Sequence, residues 1–222
     1  DLKRLIAFSS VGHMGFVLLG IATMTPTGVN GALFANIAHG LITGLLFFLV
    51  GALKERAGST DLDTLSGDTG GALYGTAPRF GGLLAFGAVA SLGLPGLAGF
   101  WGEMLALLGA YNPAEGLSRP AFIAFMAIGS VGTLLTAAYM LVVVRRVCMG
   151  DPQDDPRQQD SRERWELGHS TATATRLPDV RSHEYAAWTP LVVLTVAAGL
   201  WPALLLGLTD PAVQNLLPGV AR

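Results

Sequence analysis

Charged residues are scarce in this sequence of 222 residues: Asp, Glu, Lys and Arg make up 14% of it, whereas soluble domains carry about 25%. Hydrophobic residues account for 51%, and the mean hydropathy is +0.49. Several apolar runs contain no charge, and a run of about 20 apolar residues is long enough to cross a bilayer. Composition and run length therefore predict an integral membrane protein with several crossings.

Cysteine is almost absent as well, since Cys148 is the only one. This excludes an internal disulfide framework and any iron–sulfur or zinc site built from several cysteines of this chain. The glycine-rich run GLPGLAGFWGE lacks the spacing and the strand context of a nucleotide-binding loop. The net charge of −2 gives no indication of a nucleic-acid partner. The sequence opens with DLKRL, without an initiating Met or a signal peptide, so we interpret it as a piece of a longer chain.

Five apolar stretches have the length expected of membrane spans: residues 5–22, 29–53, 80–111, 121–144 and 186–208. They predict an all-α fold, a polytopic membrane helix bundle with about five transmembrane crossings. Residues 1–149 would form the bundle, 150–185 a polar linker on the cytoplasmic side, and 186–222 a C-terminal transmembrane helix with its tail. The linker is rich in charge and proline, which is typical of a flexible segment.

The stretch 80–111 is interrupted in the middle by Pro95-Gly96. An unbroken helix of this length would measure roughly 48 Å at 1.5 Å per residue, too long for a hydrocarbon core of about 30 Å. The two halves could form one broken span or a re-entrant hairpin. One broken crossing places twelve of the fourteen Lys and Arg residues on the same side, so the positive-inside rule favours it. The chain would then start at the cytoplasmic face and end outside.

Glu103 is the only carboxylate within these predicted spans, and His13 and His39 are their only histidines. An ionisable side chain is expensive inside a bilayer, so its presence there predicts a function. Carboxylate and imidazole groups can each hold or release a proton, and together they are typical of a proton relay. The alternatives are a Glu103 at a solvated helix end and histidines that only bond a neighbouring carbonyl.

Two further patterns predict helix packing. The spacing of Gly40 and Gly44 would let a neighbouring helix approach closely. A polar stripe in the fourth span favours contacts between helices over a path for water, and it consists of Ser130, Thr133, Thr136 and Tyr139.

Three segments carry a family resemblance: 1–20 (DLKRLIAFSSVGHMGFVLLG), 36–51 (NIAHGLITGLLFFLVG) and 93–105 (GLPGLAGFWGEML). In their order and spacing they resemble the antiporter-like membrane subunits of proton-pumping NADH:quinone oxidoreductase, respiratory complex I. The resemblance covers roughly residues 1–150, whereas the rest matches in topology alone. Such subunits contain two inverted repeats that each form a proton half-channel. The chain would be most of the second antiporter-like repeat plus the C-terminal helix.

The resemblance implies a role for each candidate residue. Glu103 looks like the terminal protonatable residue on the broken helix, His39 like a histidine of the central hydrophilic axis, and His13 like a second histidine near that axis. Sibling subunits and multisubunit cation/proton antiporters generally have lysine where this chain has Glu103, which favours the subunit M branch of the family. All three residues would transfer protons, and no metal or cofactor ligands are expected in this chain.

By the same resemblance, the chain is a subunit of a proton-translocating NADH:quinone oxidoreductase without a redox active site of its own. NADH, FMN, iron–sulfur clusters and quinone are expected in partner subunits, where quinone reduction would drive proton movement here. The expected partners are the other membrane-arm subunits, the lipid bilayer and protons, in a bacterial cytoplasmic membrane. A subunit of a multisubunit sodium/proton antiporter, or of a membrane-bound hydrogenase-type complex, is an alternative on the same fold.

Overall fold

The computed structural model describes residues 1–66, 73–149 and 177–217, and the regular structure within those ranges is helical throughout. The helices are α1 (Leu2–Ala22), α2 (Pro26–Ala57), α3 (Leu62–Ser66), α4 (Leu73–Thr76), α5 (Pro78–Ala90), α6 (Ala98–Tyr111), α7 (Arg119–Val143), α8 (Ser182–Leu200) and α9 (Ala203–Leu216). α7 continues into a π-helical turn, Val144–Cys148. The described residues confirm the predicted all-α fold.

Three of these helices are each long and apolar enough to cross a membrane: α1, α2, and α7 with its π-helical continuation. α8 and α9 qualify only as a pair, which is bent by 69° and forms either one broken span or a re-entrant loop. α5 and α6 have 13 and 14 residues, each short of the roughly 20 needed to cross. They are the halves of the predicted broken stretch, separated by residues 91–97. The described chain is thus a polytopic membrane bundle, and a single crossing by α5 and α6 stays a prediction.

The end of the chain differs from the predicted single helix over 186–208. α8 begins at Ser182, inside the segment predicted as linker, and ends at Leu200. The chain bends at Pro202, and α9 then continues to Leu216. Proline lacks a backbone N–H and its ring clashes with the carbonyl four residues earlier, which favours a break at this point. The end of the chain therefore has a bend of its own, in addition to the break within 80–111. The stretch 150–176 of the predicted linker lies outside the described residues.

α2 is longer than the predicted 29–53, because local signals set its ends further out. Thr25 accepts a hydrogen bond from the backbone N–H of Gly28 at 3.1 Å, and Pro26 occupies the first turn. At the other end, Gly58 adopts a left-handed φ of +74° that stops the helix. The resulting 32-residue helix packs against α1, α5, α6, α8 and α9, which makes it the centre of the bundle.

Small residues bring the backbones of α2 and α6 into direct contact. A Cβ added to Gly31 would lie 2.6 Å from the backbone nitrogen of Ala106. A Cβ added to Gly102 would likewise lie 2.6 Å from the Cβ of Ala35. Real Cβ atoms do not approach other atoms so closely, so the two helices can meet only where these residues are glycines. This α2–α6 contact fixes where the second half of the broken stretch lies.

The predicted close approach at Gly40 and Gly44 is wrong within the described part of the chain. A Cβ placed on either glycine has no neighbouring atom within 4 Å. The spacing of small residues marks a helix face that permits close approach, but it does not say which neighbour covers that face. In α2 the close approach occurs nearer the N-terminus, at Gly31.

The segment just before α8 is fastened to the ends of α2 and α5. Both Oε atoms of Glu184 accept from Nη2 of Arg56, at 2.6 and 2.8 Å, and Nε of Arg56 donates to the Pro178 carbonyl at 2.8 Å. The same guanidinium lies over the Phe80 ring, 5.1 Å from its centroid. Asp179 accepts from the backbone N–H of Phe80 at 3.0 Å, in the first turn of α5. We call these contacts of Arg56 and Asp179 the clasp. The clasp orients α5, the helix that leads into the break.

We expect Gly31→Val to separate α2 from α6, because the new side chain would collide with the backbone at Ala106. Overpacking of this kind costs about 1–3 kcal/mol or more. Gly40→Val is the matched control, since it makes the same substitution in the same helix where nothing lies within 4 Å. The yield of assembled protein and its thermal unfolding midpoint measure the difference. Equal losses in both variants would attribute the effect to the helix propensity of valine and not to the close contact.

Candidate functional site

Glu103 is buried at the sixth residue of α6, with 8% of its surface exposed. Its Oε1 lies 3.2 Å from Nδ1 of His13 on α1. Its Oε2 accepts a hydrogen bond from Oγ1 of Thr133 on α7 at 3.3 Å. Side chains of three helices, α1, α6 and α7, therefore meet at one carboxylate.

His39 on α2 extends this group to a fourth helix. Its ring centroid lies 5.2 Å from that of His13, and the two ring planes are tilted by 41°. Its Nδ1 lies 3.1 Å from Oγ1 of Thr43, within hydrogen-bonding distance. Five polar side chains thus form a row across the bundle, in the order Thr133, Glu103, His13, His39 and Thr43.

The break between α5 and α6 forms a wall behind the Glu103 carboxylate. Gly93, within the break, has a φ of +67°, which side chains other than glycine rarely adopt. A Cβ on Gly93 would lie 2.6 Å from Oε2 of Glu103. The sequence pattern placed the break at Pro95-Gly96 and did not single out Gly93. Glycine on both sides of Leu94-Pro95 is the signal that indicates two positive-φ positions, since Gly96 also has a φ of +96°.

A small cavity lies between the carboxylate and the two imidazoles. It offers about 20 Å³ to the centre of a water molecule, and about 10–15 Å³ by this measure is enough to hold one. Its polar walls come from His13, His39, Ser91 and Glu103. One water molecule there could bond to the carboxylate and to an imidazole at the same time.

In the described part of the chain, the ion pairs of Glu103 are limited to the one with His13. Nδ1 of His13 and Oε1 of Glu103 lie 3.2 Å apart, a distance at which a proton can pass directly from one group to the other. The structure brings Glu103, His13 and His39 together, while their role in proton transfer stays a prediction.

The other polar residues of the spans mostly bond to their own helices. The hydroxyl of Ser9 donates to the Ile6 carbonyl, and that of Thr136 donates to the Gly132 carbonyl. Thr133 differs from the rest of the predicted polar stripe because it also reaches Glu103. A step of three or four residues along one helix cannot reveal this contact, since the carboxylate comes from another helix.

A comparison with family models assigns residues 1–136 to the family described as NADH:quinone oxidoreductase/Mrp antiporter, TM. The chain belongs to this transmembrane family. The matched residues include Glu103, His13 and His39, together with Thr133. The chain is therefore an integral membrane protein.

Relatives with curated names agree with this assignment. The chain is 33% identical to NADH-quinone oxidoreductase subunit M of Rhodobacter capsulatus, over 98% of this chain and 36% of the relative. It is 38% identical to NAD(P)H-quinone oxidoreductase chain 4 1 of Synechococcus sp. (strain JA-3-3Ab), over 91% of this chain and 35% of the relative. The chain thus spans about a third of the length of these relatives. Both are bacterial subunits, which supports a bacterial membrane as its location.

Two solved structures share the fold. A chain of respiratory complex I from Thermus thermophilus with bound NADH is 31% identical, with a TM-score of 0.73, and the match covers 99% of this chain and 40% of that one. A chain of the Mrp complex from Dietzia sp. DQ12-45-1b is 25% identical, with a TM-score of 0.71, and the match covers 97% and 43%. The family description names NADH:quinone oxidoreductase and the Mrp antiporter. The two solved structures are one assembly of each kind.

We expect Gly93→Ala to displace the Glu103 carboxylate. A left-handed backbone costs a non-glycine residue about 1–2 kcal/mol, and the added methyl group would also collide with Oε2. Gly116→Ala is the matched control, because Gly116 has a φ of +87° but nothing within 4 Å of its Cβ position. Thermal unfolding measures the strain, and modification of Glu103 by a hydrophobic carbodiimide, quantified by mass spectrometry, reports on the carboxylate. A change in Glu103 modification that is the same in both variants would contradict the proposed contact.

Proposed function

We propose that this chain is part of a proton-translocating membrane subunit of NADH:quinone oxidoreductase, and that Glu103 is its proton carrier. The observation that supports this most is the burial of Glu103 against His13, beside a broken helix and without a Lys or Arg partner among the described residues. Ionisable side chains inside a bilayer almost always face the bundle interior and pair with another charged or polar group. Here the partner of Glu103 is a residue that can itself gain or lose a proton.

The transfer step moves one proton between two atoms. The proton leaves Nδ1 of a protonated His13 and binds Oε1 of an ionised Glu103, which turns an ion pair into a neutral pair. The reverse step restores the charges. Thr133 stabilises the ionised carboxylate by donating to Oε2, and it can stay in place during both steps. His39 would supply His13 with its next proton from the side of α2, through a water molecule in the small cavity that both imidazoles line.

Redox chemistry belongs to partner subunits in this proposal. The cofactors that the family implies include iron–sulfur clusters, which are held by several cysteine thiolates, and this sequence has one cysteine. The residues present therefore do not fit such a group, and no step here passes through one. NADH, FMN and quinone would also be bound by partners, and quinone reduction there would change the charges that face Glu103 and His39. Other subunits of a membrane arm are the proposed partners.

A second candidate function is sodium/proton exchange in a multisubunit antiporter. It is supported by the similarity to the Mrp complex chain, with a TM-score of 0.71. The pairing of Glu103 with a histidine favours proton movement, because an imidazole carries protons but does not replace the oxygen ligands that sodium requires.

We expect Glu103→Gln to lower proton pumping by about tenfold or more, because an amide keeps the shape of the side chain but cannot accept a proton. The substitution is made in the full-length subunit, and NADH-driven quinone reduction and proton-gradient formation are followed in native membranes. Glu115→Gln is the matched control, since Glu115 is exposed in the loop between α6 and α7. Assembly is checked separately on native gels. An assembled Glu103→Gln complex with normal values for both activities would falsify the carrier role.

The two candidate functions also differ in their response to sodium. We expect the proton gradient formed during NADH oxidation to be the same with and without sodium ions, because no sodium is exchanged in the first function. Potassium at equal ionic strength is the control, since it keeps electrostatic screening constant. A proton flux that requires sodium, or is driven by an imposed sodium gradient without NADH, would favour the antiporter.

A further inference from the structure

A second carboxylate, Asp210, is half-buried after the bend between α8 and α9 and lies outside the Glu103 site. It belongs to α9, which extends beyond the predicted span end at residue 208. Its Oδ1 accepts from Nδ2 of Asn30 at 2.8 Å, and its Oδ2 accepts from Nε2 of Gln214 at 2.7 Å. Thr209 in turn donates to Oδ1 of Asn30 at 2.8 Å. This last bond fixes which end of the Asn30 amide faces Asp210.

Both oxygens of Asp210 therefore accept from N–H groups, while no positive charge lies within 4 Å of them in the described ranges. The neighbouring helices α2, α6 and α8 do not supply one. The nearest titratable residue on α2 is His39, nine residues or about 13 Å along the helix from Asn30. On α8 it is Tyr185, fifteen residues or about 22 Å before the helix ends at Leu200. On α6 it is Glu103, two residues before Leu105, which also lines the cavity described next.

A large open cavity lies against Asp210. Its volume is about 700 Å³, far larger than the cavity beside Glu103. We call it the vestibule; residues that line it include Pro26, Asn30, Pro202, Gly207, Asp210 and Gln214. Pro211 has no backbone N–H and so cannot donate to the Gly207 carbonyl. A carboxylate and two side-chain amides give water several partners in one space.

The vestibule is separate from the Glu103 relay. Its residues lie at the end of the bundle where α2 begins, which the distribution of Lys and Arg predicts to be the outer side. The close α2–α6 contact at Gly31 and Ala106 is near this end of α2. Glu103 faces α1 and α7 instead. Asp210 is thus a different site on the same helix bundle.

We propose that the vestibule is filled with water and that Asp210 exchanges protons with the aqueous phase there. The exchange adds a proton from water to one carboxylate oxygen, which neutralises Asp210, and returns the proton to water in the reverse step. A half-buried acid without a cationic partner among the described residues is stabilised by water or by a proton, and the open vestibule gives access to both. This inference does not depend on whether Glu103 carries protons.

The first experiment tests for water in the vestibule. Gly207→Cys places a thiol where nothing lies within 4 Å of the new Cβ. Leu208→Cys is the matched control, because Leu208 is the next residue, is 75% exposed on the outside of the bundle and does not line the vestibule. The native Cys148 is fully buried. Each variant of the full-length subunit, in the assembled complex in intact membranes, reacts with a membrane-impermeant cationic methanethiosulfonate.

We expect the thiol at 207 to react from the outer side and the thiol at 208 to stay unmodified in lipid. Modification of neither thiol, or of both at equal rates, overturns a hydrated vestibule. Modification of the thiol at 207 only after the complex has been dissociated would show that a partner fills the space, and it overturns the proposal as well.

The second experiment tests for proton exchange at Asp210. In Gly207→Cys membranes, the ratio of the reaction rates with a cationic and a neutral methanethiosulfonate reports the charge nearby. We expect Asp210→Asn to lower this ratio by about fivefold, the effect of one charge about 4 Å away in water. In the parent the ratio should fall to the Asp210→Asn value as the pH is lowered, whereas Asp210→Glu should keep a pH-dependent ratio. A ratio that is the same in the parent and in Asp210→Asn at every pH shows that Asp210 only joins helices.

Discussion

The direct backbone contact between α2 and α6 is the constraint on which the rest of the structure depends. Glycines at 31 and 102 let these helices approach until only backbone and single methyl groups separate them. His39 is carried by one of the two helices and Glu103 by the other, so their separation is set by this contact and not by their own side chains. α1 and α7 then close around the carboxylate with His13 and Thr133. The positions of the site residues are well defined because they depend on a contact between main chains, and a main chain has no side-chain rotamers to change.

The cost of placing charged side chains in an apolar bundle is the second constraint on the structure. Two of the ion pairs among the described residues show how the chain meets this cost. Arg56 and Glu184 form a partly buried pair at the end of the bundle, whereas Glu103 has a histidine as its partner. A permanent ion pair in an apolar interior is strongly held and resists change. A carboxylate–imidazole pair can exist as two ions or as two neutral groups, so it responds to small changes in the surrounding charge. The bundle therefore contains two kinds of charged pair at different places: a permanent ion pair at one end, and a carboxylate–imidazole pair whose charges can change.

The sequence predicted those residues of the candidate site whose type is rare in apolar runs. Glu103, His13 and His39 stand out because ionisable residues are uncommon in apolar runs, and the structure places them together. Thr133 and Gly93 did not stand out, since hydroxyls and glycines are common in such runs and only the neighbouring helix gives them a role. For the same reason Gly40 was misread, because a small residue does not identify its partner. Asp210 was missed because the last span was predicted as one helix that ends at 208, although Pro202 offered a signal for the break.

The clasp around Arg56 has a consequence for the length of the chain between the bundle and α8. Pro178, Asp179 and Glu184 are held to the ends of α2 and α5, while α7 ends nearby through the bond of Cys148 to Gly81. These side-chain contacts, and not the length of the chain between Met149 and Leu177, therefore set the position of α8. Related chains can differ in length there and keep both α8 and Glu103 in place.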